Sequence, residues 1–229
     1  MIRQHRTRTE RSLWIVTLIA SIAFLTLGAT VAAGRPTPRF DVVLEQALFG
    51  RSTALAWIFT QSGFPPTLIG IAIALIIFGI VDRRWRARAF FTVIASMATV
   101  PLVSDTFKNL YARARPEHWL MRQELSFSYP SGHAVTAVGV FALWALFVWR
   151  GDLPRWLRAF LGIVLLGWAG GVCWSRVALG VHFPTDIIGG GLLSIAWTSA
   201  GLAICYRFKL FLLDRVAPPD GRSRSVTAA

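Results

Sequence analysis

The chain is 229 residues long, 55% of them hydrophobic and only 15% charged, with a mean hydropathy of +0.55. This balance excludes an ordinary soluble globule and indicates an integral membrane protein. A net charge of +13 would suggest nucleic-acid binding in a soluble chain. Here the arginines fall in the gaps between apolar runs, where they set membrane topology, and no nucleic-acid partner is expected.

The elements follow in order. A basic segment, 1–12, precedes the first apolar run at about 13–33. Basic residues before it and "VAAG" at its end give it the look of a signal peptide, but it is long for such a core, so an uncleaved anchor is expected. Residues 37–63 mix apolar and polar positions at helical spacing and read as a helix lying on the outer membrane surface. Five more apolar runs follow at about 66–81, 89–107, 133–149, 159–175 and 187–206, each able to cross the hydrocarbon core once adjoining polar helix is added. A basic tail, 207–229, closes the chain, and its stretch "APPDGRSRSVTAA" predicts disorder. The expectation is an all-α bundle of six transmembrane helices over 13–206, with an outer interfacial helix.

Alternate gaps between the runs carry 16 and 8 Lys and Arg residues. Positive loops stay cytoplasmic, so both termini are expected there and the gaps after runs one, three and five outside. Trp14, Trp85, Trp119, Trp149, Trp156 and Trp174 sit near run ends, as an interfacial aromatic belt requires. Cys173 and Cys205 match no metal or redox spacing and fall near opposite membrane faces, which rules out a disulfide between them.

Three polar clusters share the predicted outer face. In "KNLYARARP", 108–116, Lys108 and Arg115 are seven residues apart, and continuation of the third helix to Pro116 would project both from one face. Either could equally be an ordinary interfacial cation, Lys108 paired with Asp105 at i, i+3. In "YPSGHAV", 129–135, a turn precedes the fourth run and leaves its first amides free for an anion. Ser131 can cap or donate there, Gly132 allows close approach, and His133 stands at the mouth as a candidate general acid. In "SRVALGVHFPTD", 175–186, Arg176 supplies charge and Pro184 suits a first helical turn. Asp186 is then either a helix-start acid complementing the macrodipole or the carboxylate that orients His182. Together the three clusters hold cations and amides for a phosphoryl group, one oriented histidine and one acid. No dense acidic cluster is present to hold Mg²⁺.

The spacing Lys108-x6-Arg115-Pro116, Pro130-Ser131-Gly132-His133 and Ser175-Arg176-x5-His182-x3-Asp186 resembles the three-part signature of the type 2 phosphatidic acid phosphatase (PAP2) superfamily, which also includes vanadium haloperoxidases. The six-run layout looks like its bacterial lipid phosphatases. The resemblance implies that Lys108, Arg115, Ser131, Gly132 and Arg176 bind phosphate. It also implies that His182 is the nucleophile, Asp186 its orienting partner and His133 the acid for the leaving oxygen, with no metal and no cofactor. His118 has no place in the signature and reads as a loop residue. The implied protein hydrolyses a membrane lipid phosphate at the outer face of a bacterial inner membrane. Undecaprenyl diphosphate is the favoured substrate; phosphatidate, phosphatidylglycerol phosphate and lipid A phosphates are compatible. A non-enzymatic anion transporter is a remote alternative, disfavoured because the centres of the six runs hold no ionisable residue. A vanadate-dependent peroxidase is a third, disfavoured by the membrane runs.

Overall fold

The computed structural model describes residues 2–120, 124–208, 210 and 212. Arg122, counted among the outer cations, and the tail 213–229 with its expected disorder lie outside these residues. The described residues form eight helices and no strand. They are α1 Ile2–Val31, α2 Arg39–Leu48, α3 Thr53–Gln61, α4 Pro65–Val81, α5 Arg86–Tyr111, α6 Gly132–Arg150, α7 Arg155–Ala178 and α8 Pro184–Arg207. Five are long and apolar enough to cross a membrane, and α3 with α4, bent by 51° at their junction, would make a sixth if the pair crosses as one. Five of the six apolar runs therefore become candidate spans, and the run at 66–81 becomes α4, part of the bent pair.

Helix starts follow local chemistry. Pro65 and Pro184 occupy first-turn positions, where a missing N–H is harmless and the fixed φ suits a helix. Ser131 caps α6, its Oγ accepting from the amide of Ala134 at 3.5 Å. The single surface helix expected over 37–63 is instead two, because the chain turns left-handed at Gly50 and Ser52. Nor do α2 and α3 only lie on the surface: Asp41, Ala56 and Thr60 are buried against the bundle.

Small residues bring the spans close. α1 packs along α8, with Thr17 Oγ1 and Ser199 Oγ 2.8 Å apart. α5 and α6 each contain a π-helical stretch, Val93–Thr99 and Val138–Ala142. They meet where Ser96 Oγ donates to the Gly139 carbonyl. Any Cβ at Gly139 would lie 2.8 Å from Ser96 Oγ and 2.9 Å from Ser194 Oγ, so a larger residue at this crossing would have to push these hydroxyls aside. Trp85, expected in the aromatic belt, is buried instead, stacked on Trp144 at 5.8 Å. Trp14, Trp149 and Trp156 are exposed at span ends. Both cysteines are free thiols.

At one end of the bundle Leu13 of α1 packs with Tyr206 of α8. The end of α5, the start of α6, the end of α7 and the start of α8 meet at the opposite end. There Phe24, Tyr111 and Tyr129 form an aromatic cluster, and the Tyr129 hydroxyl donates to the Phe24 carbonyl at 2.9 Å. This cluster anchors the loop that leads into Ser131, Gly132 and His133.

Candidate active site

All eight candidate residues lie at this second end, though not for every reason read from the sequence. The α5 helix stops at Tyr111, and Ala112 adopts a φ of +44°. Arg115 is therefore not on the helical face of Lys108; it reaches the same place through an extended segment. Lys108 Nζ donates to Ser126 Oγ at 3.2 Å and the Arg115 guanidinium to the same oxygen at 3.0 Å. The bland reading of Lys108 also holds in part, since Asp105 lies 3.6 Å away.

His182 is 1% exposed, in the short turn between α7 and α8. Its two ring nitrogens face opposite chemistry. Nε2 lies 3.1 Å from Arg115 Nη1, which can only donate, so Nε2 carries the lone pair and the proton belongs on Nδ1. Nδ1 faces the Asp186 carboxylate at 3.4 Å and Ser128 Oγ at 3.5 Å. Burial first, then Arg115 and Arg176, push the His182 imidazole well below its ordinary pKa. The ring is held neutral with a lone pair aimed at the cations.

Asp186 is both of the things its position allowed. At the third position of α8 it accepts from the Phe183 amide at 2.8 Å, a helix-start role. It also accepts from Ser128 Oγ and from Arg113, besides facing His182. Arg113, read from the sequence only as a loop charge, is 5% exposed. It bridges Asp186, Thr185 Oγ1 at 2.7 Å and Asp41 Oδ2 at 2.6 Å, and its guanidinium lies 4.4 Å from the Phe183 ring. Asp41 in turn accepts from the Thr185 amide at 2.9 Å. The only hint of this in the sequence is an acid set among the apolar positions of 37–63.

Arg176 is fully buried. It donates to Thr60 Oγ1 at 2.7 Å and to Glu124. Arg115 donates to the other Glu124 oxygen at 2.7 Å, to the Val181 carbonyl at 2.8 Å and to the Ser126 carbonyl at 2.7 Å. Burial would raise the Glu124 carboxyl, but Arg176 and Arg115 outweigh it and hold the group below the ordinary range. One carboxylate thus occupies the point where two arginines converge.

His133 donates to the Thr60 backbone carbonyl, while its Nε2 has no partner among the described residues. Its ring packs edge-on against Phe64 at 5.1 Å and so close to Gly63 that any Cβ there would overlap it, at 2.1 Å. Thr60 thus holds both His133 and Arg176, one through its backbone and one through its hydroxyl. Neither Thr60 nor Glu124 was marked as functional by the sequence, because nothing local distinguishes them. His118 lies outside the cluster, its ring 6.2 Å from Phe49.

From His133 a groove of about 660 Å³ runs down between α4 and α5. Ser104, Asp105, Lys108, Glu124, Gly132 and His133 line its polar mouth, and Leu68, Ile69, Ala72, Val93 and Met97 its apolar depth. Among the described residues no group of three or more His, Cys, Asp or Glu side chains is placed to hold a metal ion.

The chain resembles several known proteins. It is 35% identical over 145 residues to the lipid A 1-phosphatase of Rhizobium johnstonii, covering 59% of this chain and 52% of that one. It is 32% identical over 115 residues to an undecaprenyl-diphosphatase of Sulfolobus acidocaldarius, covering 47% and 50%. The alignments with these relatives span about half of their length. The crystal structure of a transmembrane PAP2-type phosphatidylglycerolphosphate phosphatase from Bacillus subtilis shares the fold, with a TM-score of 0.53 at 23% identity, over 88% of this chain and 97% of that one. The PAP2 superfamily model matches residues 89–210, a stretch that holds Lys108, Arg115, Ser131, Gly132, His133, Arg176, His182 and Asp186, and the chain belongs to that family.

Proposed function

We propose that this protein is a lipid phosphate phosphatase of the bacterial inner membrane, working at the outer face through a phosphohistidine on His182. The observation that carries the reading is the placement of the His182 ring. Nδ1 lies 3.4 Å from the Asp186 carboxylate, and Nε2 lies 3.1 Å from Arg115, at the cluster of Arg115 and Arg176 where a phosphate would sit.

In the first half-reaction the Nε2 lone pair attacks the terminal phosphorus, a P–N bond forms, and the bond to the leaving oxygen, the lipid's own in a monoester and the bridging one in a diphosphate, breaks in line with it. His133 takes up a proton on Nε2 as the phosphate anion binds beside it and gives that proton to the departing oxygen, while the Thr60 carbonyl holds its other N–H. Arg115, Arg176, Lys108 and the Gly132 amide spread the phosphoryl charge, and Ser131 fixes the helix start that presents this amide. Asp186 stabilises the positive charge on the phosphorylated ring. In the second half-reaction water attacks phosphorus and loses a proton to His133, the P–N pair returns to His182, and inorganic phosphate leaves. These residues supply both leaving-group protonation and charge stabilisation, so no metal or cofactor is assigned a step.

The orientation rests on the charge bias of the loops, which puts the cluster outside and both ends of the bundle's chain inside. For substrate we favour a single-chain isoprenoid such as undecaprenyl diphosphate, since the groove that leaves His133 between α4 and α5 is apolar beyond its mouth. The relatives are named for lipid A, undecaprenyl and phosphatidylglycerol phosphates, which share the headgroup chemistry this cluster would bind. Phosphate release by purified protein is to be measured on undecaprenyl diphosphate, phosphatidate, phosphatidylglycerol phosphate and lipid A. His182→Ala should reduce it at least 10³-fold on any substrate turned over, with the folded protein still in the membrane. Activity should persist in EDTA. Retained turnover in His182→Ala rejects the nucleophile, and EDTA loss reversed by Mg²⁺ rejects the metal-free site.

A further inference from the structure

Ser104 lies outside the three polar clusters. It stands one helical turn before Lys108 on α5, so the two side chains project from one face. It is 1% exposed, yet its hydroxyl has no hydrogen-bond partner among the described residues. Other hydroxyls within the spans turn back to their own helix: Thr92 to the Arg88 carbonyl at 2.8 Å, Thr106 to Leu102 at 3.2 Å, Thr198 to Ser194 at 2.6 Å. The Ser104 hydroxyl instead faces the groove, near Gly132, where a Cβ would lie 3.9 Å from Oγ. Leaving a buried hydroxyl unpaired is costly, which calls for an occupant that pairs with it. The Ser194 hydroxyl is also unpaired, but it lies at the Gly139 crossing and not on the groove.

The sidedness of the cluster says what that occupant is. His182, Arg115 and Arg176 are not part of the groove lining; the groove meets them at Glu124, which lines it and binds both arginines, and leads away from there past His133 Nε2, the other unpaired polar atom at its mouth. In an in-line displacement the leaving oxygen departs on the side opposite the attacking nitrogen. The groove is that side. Resting on the phosphatase reading above, we propose that Ser104 is a substrate-binding residue: its hydroxyl donates to the leaving oxygen of the substrate, beside the proton carried by His133. The hydrogen bond strengthens as that oxygen gains charge and involves no covalent change at Ser104.

The test compares wild type, Ser104→Ala and a His182→Ala blank on a lipid phosphate with an alkyl leaving oxygen and on p-nitrophenyl phosphate, whose leaving oxygen needs little stabilisation. Ser104→Ala should lower kcat/KM about tenfold on the alkyl substrate and less than about threefold on p-nitrophenyl phosphate. Its Tm should be unchanged or higher, because no hydrogen bond within the protein is lost. Wild-type rates on both substrates overturn the proposal, and so does an equal loss on both accompanied by a lower Tm. A wild-type rate no higher than the His182→Ala blank overturns the phosphatase reading itself and this proposal with it.

Discussion

Two groups of buried arginine stand on either side of His182, and they are wired differently. Arg113 meets Asp41, Asp186 and Thr185, each of which is also bound to something else within the bundle. That network is closed: two acids surround one base and every member is at most 6% exposed. Arg115 and Arg176 share a single carboxylate, Glu124, which is 27% exposed and sits on the loop before Ser128. Lys108 adds a third cation to that side. This group carries more positive charge than the protein itself neutralises. On the proposed reading the contrast separates two tasks: the closed side would fix the aim of the imidazole, and the open side would be left able to exchange its anion.

The largest expected effect comes from breaking the closed side. Arg113→Met removes the base and leaves Asp41 and Asp186 buried without it. Stranding a buried charge typically costs about 3–5 kcal/mol, so thermal unfolding in detergent should show the variant among the least stable single mutants of the chain. Activity should fall too, since Asp186 would lose the partner that holds it beside His182. A Tm within 2 °C or so of wild type would remove the distinction between the two sides.

His182 reads both sides at once, which gives the comparison a pH signature. Its pKa in the folded protein is lower than the ordinary value of about 6.5, through burial and then through Arg115 and Arg176. Between these two values the unfolded chain binds more protons than the folded one. Stability therefore rises with pH up to about 6.5 on account of this group and is lost as pH falls through the window. An NMR titration of the imidazole should place its midpoint below 6.5 in wild type and move it upward in Arg115→Gln, which lacks one of the two cations. A wild-type midpoint at or above 6.5 would count against a neutral nucleophile.

The open side was largely legible in the sequence, whereas of the closed side only Asp186 was. Lys108, Arg115, Arg176 and His182 could be singled out because an apolar chain concentrates its ionisable residues outside the spans, and the two gaps that hold them fell on one face. The candidate spans were legible for the same reason, since bilayer thickness imposes a length on apolar runs. Asp41 and Thr60 were hidden because they sit in a segment whose amphipathic pattern is equally that of a surface helix; only the left-handed break at Gly50 and Ser52 turns α2 and α3 into walls of the site. Arg113 was hidden by its neighbour, because two arginines separated by one residue have the same local chemistry and opposite surroundings. Helical extrapolation to Arg115 failed at Ala112, whose positive φ has no signature in a residue that favours helices.

The smallest effect tests whether Glu124 is a partner or an occupant. Both of its oxygens are taken by the arginines that would hold phosphate, so an incoming phosphate and this carboxylate compete for the same donors. Glu124→Gln keeps the shape and one acceptor oxygen while removing the charge. If Glu124 is an occupant, substrate no longer displaces an anion, and KM should fall about threefold to tenfold with kcat little changed, a difference of about 1 kcal/mol, as befits a partly exposed ion pair. If Glu124 instead assembles the pair, the two guanidinium groups would drift apart in the variant, raising KM and lowering kcat together. Steady-state kinetics on one lipid phosphate separates the two outcomes by the direction of KM alone, and a rise would mean that the open side is built as firmly as the closed one.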